Sequence, residues 1–208
     1  MCSDFYIAYA GFHSKLLYKK IYKVGIKYMK IKNILIAAFG DTGNEPEAIR
    51  QALEAFNYFV TIKYIGRPND FIDVLNNKLP FCFDCIVLSC HSENGNIIMP
   101  VLSNEIYAEG EPKNNFSHKE INSYNNLHEK LIINLGCATG YKEMIAAFAK
   151  TDNTYIAPGD YIEGNSALFF TIKFFYEMAH NKKSIYDAFI LSQETDQETE
   201  LFILKLNS

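Results

Sequence analysis

Cys85-Ile86-Val87-Leu88-Ser89-Cys90-His91 is an apolar run that ends on a histidine, and Leu131-Ile132-Ile133-Asn134-Leu135-Gly136-Cys137 is a second that ends on a cysteine. A strand buried on both faces reads as a continuous apolar run rather than an alternating one. Both stretches therefore read as neighbouring strands of one parallel sheet, with His91 and Cys137 just past their carboxyl ends. Ligands of open parallel sheets bind beyond those ends, so residues distant in sequence converge there.

Upstream of the first run, residues 33–39 form a short apolar strand closed by Gly40-Asp41-Thr42-Gly43, a turn. Residues 45–56 carry Ile49, Leu53 and Phe56 at helical spacing; residues 59–64 are β-branched and strand-like; residues 70–75 make a short helix before Pro80. The order β-α-β-α-β argues a parallel sheet. Between the two runs, Gly95 marks a turn and residues 97–102 read as extended. Phe116, Ser117 and Glu120 then make a hydrophobic residue followed by a capping box. Beyond Cys137 come a helix over 143–149, a strand over 154–158 and a long helix over 164–180 with Leu168, Phe169, Ile172 and Phe175 on its apolar side. A last helix over 184–192 is capped by Ser184. The expected fold is α/β, a three-layer α-β-α sandwich around a mainly parallel sheet of about five or six strands.

The 208 residues are enough for one domain with a sizeable core, and 49% hydrophobic with 21% charged residues is an ordinary globular balance. A net charge of −4 gives no basic field for nucleic acid. The charge is uneven: residues 1–32 hold seven Lys and one Asp, and the rest is acidic. We read residues 1–30 as an N-terminal extension and 31–208 as the domain; an amphipathic helix at a membrane surface is the alternative for the extension. Its lysines follow its apolar residues, the wrong order for a signal peptide, and no run reaches the length of a membrane span. The five cysteines (Cys2, Cys82, Cys85, Cys90 and Cys137) are odd in number and clustered, unlike a secreted disulfide framework, which points to a reducing cytoplasm.

A cysteine at a strand end is by itself more often a small buried hydrophobe, and a lone histidine more often a surface residue. Together at equivalent ends of two strands they suggest a dyad, in which the imidazole takes the thiol's proton. Gly136 and Gly140 flank Cys137 and permit a tight strand-to-helix turn. The helix that follows would turn its positive end toward the thiolate, and the Cys137 N–H is a natural oxyanion donor.

The order of these elements resembles the caspase-like (clan CD) cysteine peptidases, and within them the CHAT group. In that group one apolar strand ends in His-Gly and a later one in Cys, before a helix, a short strand and an aromatic-rich helix. Here the later part stands as Ala146-Ala147-Phe148, Phe174-Phe175-Tyr176-Glu177-Met178 and Lys183-Ser184-Ile185-Tyr186-Asp187-Ala188-Phe189. The resemblance covers roughly residues 31–193 and implies a hydrolase acting on a peptide or protein substrate, with no metal or organic cofactor. It implies His91 as general base, Cys137 as nucleophile, and the N–H groups of Ser92 and Cys137 as oxyanion donors. Ser92 stands where the family has Gly. Specificity in such enzymes often rests on an acidic residue that binds a basic side chain; Asp41 and Asp160, beyond strand ends, are the candidates, with Glu163 better read as the acidic first turn of a helix.

Other readings remain open. Leu135-Gly136-Cys137-Ala138-Thr139-Gly140 mimics the glycine-rich loop of S-adenosylmethionine-dependent methyltransferases, although Asn134 replaces the acidic residue expected there and too little chain follows. A non-catalytic caspase-like binding or signalling module is a second. Cys82-Phe83-Asp84-Cys85 could begin a zinc site, but Cys90 and His91 would point to opposite faces of their strand. Oligomeric state is not legible.

Overall fold

The computed structural model describes residues 30–207; the expected N-terminal extension lies almost wholly outside them. The elements run in the order β1 (Asn33–Phe39), α1 (Glu45–Ala55), β2 (Phe59–Ile65), α2 (Pro68–Leu75), β3 (Cys85–Ser89), β4 (Ser92–Glu93) and β5 (Asn96–Ile97). There follow α3 (His118–Tyr124), β6 (Leu131–Asn134), α4 (Lys142–Ala149), β7 (Thr154–Pro158), α5 (Gly164–Ala179), α6 (Ile185–Gln193) and, after a 3-10 turn, β8 (Phe202–Lys205). Six strands form one sheet in the order β2-β1-β3-β6-β7-β8. The first five run parallel and β8 is antiparallel to β7. This is the α-β-α sandwich expected from the sequence.

Strand alternation sorts the core into two layers. Leu35, Ala37, Phe39, Ile86, Leu88, Cys90, Ile132 and Tyr155 pack with α2, α3 and α4 on one face. Ile34, Ile36, Cys85, Val87, Ile133, Leu135 and Ile156 pack with α1, α5 and α6 on the other. Local signals hold the helices. Pro46 and the acidic Glu45 and Glu47 open α1, the Ser117–Glu120 capping box opens α3, and Ser184 Oγ accepts the Asp187 N–H at 3.1 Å to open α6.

The chain steps from β1 outward to β2, then crosses back to β3 on the other side of β1. Helix α1 packs on one face and α2 on the other. The carboxyl ends of β1 and β3 therefore flank a topological switch point, where the connections diverge and leave a crevice.

Two expectations need correction. The buried stripe of α5 is Ala167, Phe170, Phe174 and Phe175, whereas Phe169 is 50% exposed. The cause is β8, not foreseen in the sequence: Phe170 stacks on Phe202 with ring centroids 3.8 Å apart, which sets the helix's rotation. The extended segment after Gly95 is also shorter than expected. Ile97 is clamped by Phe116, whose N–H and C=O both bond to it at 2.9 Å, and regular pairing stops there. The turn expected at Gly95 is present, as the turn of a hairpin whose first strand, β4, begins immediately after His91. Among the described residues no helix is long and apolar enough to cross a membrane.

Candidate active site

The register of β3 with β6 pairs Cys85 with Leu131 and Leu88 with Asn134, a constant offset of 46 residues (131 − 85). His91 and Cys137 differ by the same 46 (137 − 91), and Leu135 N–H continues the ladder to Leu88 O at 3.0 Å. Strand β3 ends at Ser89 and β6 at Asn134, so both residues stand in the loops just past two adjacent strand ends. Both line a cavity of ≈ 640 Å³ walled by the start of α1 and the approach to α5.

Each side chain is held by a backbone carbonyl rather than by the other. His91 Nε2 lies 3.2 Å from Asp41 O. A carbonyl can only accept, so Nε2 is the donor in this contact. The Cys137 thiol points its hydrogen at Ile162 O, 3.5 Å away.

The loops after β3 and β6 are tied together. Asn94 and Gly95 have φ of 51° and 74°, as a two-residue type I′ hairpin demands. Gly95 is doubly required, because a Cβ there would meet Tyr141 Cε1 at 2.8 Å and Ala138 O at 3.0 Å. Asn94 N–H donates to Tyr161 Oη at 3.3 Å, and Ser92 Oγ donates to Cys137 O. Ile98 N–H bonds to His91 O at 3.0 Å, so Ser92 and Ile97 form the next, non-hydrogen-bonded pair. The Ser92 N–H therefore points away from β5. In the second loop the N–H groups of Gly136, Ala138 and Gly140 go to Asn134 Oδ1 (2.9 Å), Asp160 O (2.9 Å) and Pro158 O (2.7 Å), passing over that of Cys137. Gly140 is forced by this approach, since a Cβ would sit 2.9 Å from Pro158 O.

Asp41 lines the cavity, as does Glu163 at the cap of α5. Asp160 does not. It is exposed, and its Oδ1 takes the N–H of Tyr161 at 2.8 Å. Cys82 is exposed and Cys85 buried, and among the described residues no group of three or more His, Cys, Asp or Glu is arranged to hold a metal ion.

No protein-family model matches the sequence, and no curated protein sequence does. Solved structures similar to it include drICE, 14% identical with a TM-score of 0.44 over 88% of this chain and 95% of that one. Another is a secreted C11 cysteine protease from Bacteroides thetaiotaomicron in complex with an irreversible peptide inhibitor. It is 12% identical with a TM-score of 0.46 over 83% of this chain, which spans only 63% of that one. A short-chain flavodoxin is 17% identical with a TM-score of 0.38 over 72% of this chain and 99% of that one. The α/β assignment rests on the strand order and register described above.

Two features of the site escape sequence reasoning. Glu45 faces the cavity and accepts a hydrogen bond from Ser89 Oγ at 2.5 Å. Burial pushes its carboxyl upward, against the lowering effects of the Ser89 bond and the nearby His91 charge. The sequence signal was a carboxylate just past the first strand's turn, which acquires meaning only once β1 is known to lie beside β3. The second is a buried polar chain behind the cysteine loop. Asn134 Nδ2 donates to Tyr155 Oη (3.1 Å), Tyr155 Oη to Thr139 O (3.1 Å), and Thr139 Oγ1 to Gly136 O (2.6 Å).

Proposed function

We propose that this chain is a caspase-like cysteine peptidase of the CHAT-like group, hydrolysing peptide bonds through a thioester on Cys137. The reading is carried by one observation: His91 and Cys137, each just past the carboxyl end of one of two adjacent strands, line one cavity. In this mechanism His91 Nδ1 takes the thiol proton, and Cys137 Sγ adds to the scissile carbonyl carbon. The N–H groups of Ser92 and Cys137 hold the oxygen as it becomes negative. Collapse breaks the C–N bond, and His91 returns the proton to the departing amine. Water, deprotonated by His91, then cleaves the thioester to a carboxylic acid and regenerates the thiol. The mechanism draws on no metal or organic cofactor.

The cavity's charged lining is Asp41, Glu45 and Glu163, without Lys or Arg. We therefore assign it a peptide substrate with a basic side chain next to the scissile bond, met by Asp41 and Glu163. Asp160, engaged in its own turn, is left out of this role.

The test is mass spectrometry of the full-length protein treated with peptide electrophiles carrying Arg, Lys, Leu or Asp. Cys137 should be modified fastest by the basic probes, Cys137→Ala should abolish labelling there, and His91→Ala should slow it by about a hundredfold. If Cys137 reacts no faster than exposed Cys82, and His91→Ala changes nothing, the chain is a non-catalytic module.

A further inference from the structure

The first turn of α1 carries two glutamates with different fates. Glu47 faces outward and pairs with Arg50 of its own helix at 2.9 Å. Glu45 turns inward to Ser89, the last residue of β3. Ser89 is fully buried and, by alternation with Cys85 and Val87, faces the α1 layer. A hydroxyl-to-carboxylate bond of 2.5 Å belongs to the charge-assisted class. It fixes the carboxylate two residues before His91, at the wall of the cavity that His91 and Cys137 line.

A carboxylate withdrawn from water needs a cation or several donors. The other titratable residues that line the same cavity are Asp41 from the β1–α1 turn, Cys90 and His91 just after β3, Cys137 from the β6 loop and Glu163 from the start of α5. Only His91 among them can become positive. Against the burial that raises the Glu45 carboxyl, the nearby His91 charge favours its ionised form.

We propose that Glu45 is the positioning residue of the His91–Cys137 pair. Its carboxylate, clamped by Ser89, holds the imidazolium that forms when Cys137 gives up its proton. This rests on the dyad reading above. Glu45 touches neither substrate nor reacting atom; it acts through His91, and Ser89 acts through Glu45.

The experiment is the pH profile of Cys137 alkylation by iodoacetamide, read by mass spectrometry on the full-length protein, with thermal unfolding measured in parallel. Glu45→Gln keeps the shape and removes the charge. It should move the half-maximal pH upward by about one unit, so that Cys137 reacts about tenfold more slowly below it. Ser89→Ala should produce a smaller upward shift, and Glu45→Asp should recover part of the loss. If Glu45→Gln does not fold, Ser89→Ala reads a shift in the same direction with the carboxylate retained. An unshifted Glu45→Gln profile alongside an altered His91→Ala profile overturns the role of Glu45 and leaves the dyad standing, even if the variant melts earlier. A profile indifferent to His91 as well removes the dyad, and this proposal with it.

Discussion

At the scale of single residues, the Cys137 loop is built from behind rather than from within the cavity. Asn134 is fully buried, and every polar atom of its amide is engaged: Oδ1 takes the Gly136 N–H at 2.9 Å and the Cys90 thiol at 3.4 Å, while Nδ2 reaches Tyr155. Burial pushes the Cys90 thiol and the Tyr155 phenol well above their usual values, so both stay neutral donors. Removing one member of such a network leaves buried partners unsatisfied, at about 1–3 kcal/mol for each lost pairing. Asn134→Ala should therefore lower unfolding stability by about 3 kcal/mol in urea titration. It should also slow Cys137 alkylation, because Gly136 loses its anchor. A loss below about 0.5 kcal/mol would show that the loop holds its shape without the amide. In the sequence Asn134 stood out as a polar interruption of an apolar run, and the residues that satisfy it come from the end of β3, from β7 and from the loop after β6.

At the scale of elements, the edge of the sheet decides the rotation of α5, the longest helix among the described residues. Strand β8 has only four residues, alternately buried and half-buried. Four residues are too few for period-two patterning to stand out from a polar tail. Without β8 in view, the aromatic run of α5 gives no way to choose between Phe169 and Phe170 as the inward residue. The buried parallel strands were legible for the opposite reason: each is a continuous apolar run bounded by turn residues, and residues 154–158 match the observed β7 at both ends. The helix caps at Ser117 and Ser184 were legible because capping is local chemistry. Non-local contacts carry the rest, and the position of Glu45 beside Ser89, 44 residues away, is one of them. The stack of Phe170 on Phe202 gives a direct test. Phe202→Ala should cost about 3–4 kcal/mol, as large-to-small changes in aromatic cores do. Phe169→Ser, on the exposed side of the same helix, should stay within about 0.5 kcal/mol. Equal losses from both in urea unfolding would mean the helix is rotated otherwise.

At the scale of the molecule, the long connection from β5 to α3 must be anchored, because its first residues continue the hairpin that follows His91. One carboxylate does most of this. Glu111, with no side-chain exposure, takes hydrogen bonds from Arg67 Nε at 3.0 Å, from Arg67 Nη2, and from the N–H groups of Asn69 (2.9 Å) and Ala108 (3.0 Å). Arg67 Nη2 also reaches Ile106 O at 3.1 Å. The connection is thus pinned to the start of α2, on the same sheet face that supports the hairpin. The Arg67 guanidinium, first among these partners, holds the Glu111 carboxyl at about 2, below its ordinary 4.5. A carboxyl whose value is depressed by folding contributes stability that is fully present above the unfolded value and is lost as pH falls through the folded one. Wild type should therefore hold its urea midpoint advantage over Glu111→Gln from neutral pH down to about 4.5, and that advantage should close as pH falls toward about 2. The variant's own curve should lack this component of the slope. Parallel midpoint curves across pH 7 to 2.5 would mean that the carboxylate's charge does not fasten the connection, leaving its apolar contacts to carry the hairpin that positions His91.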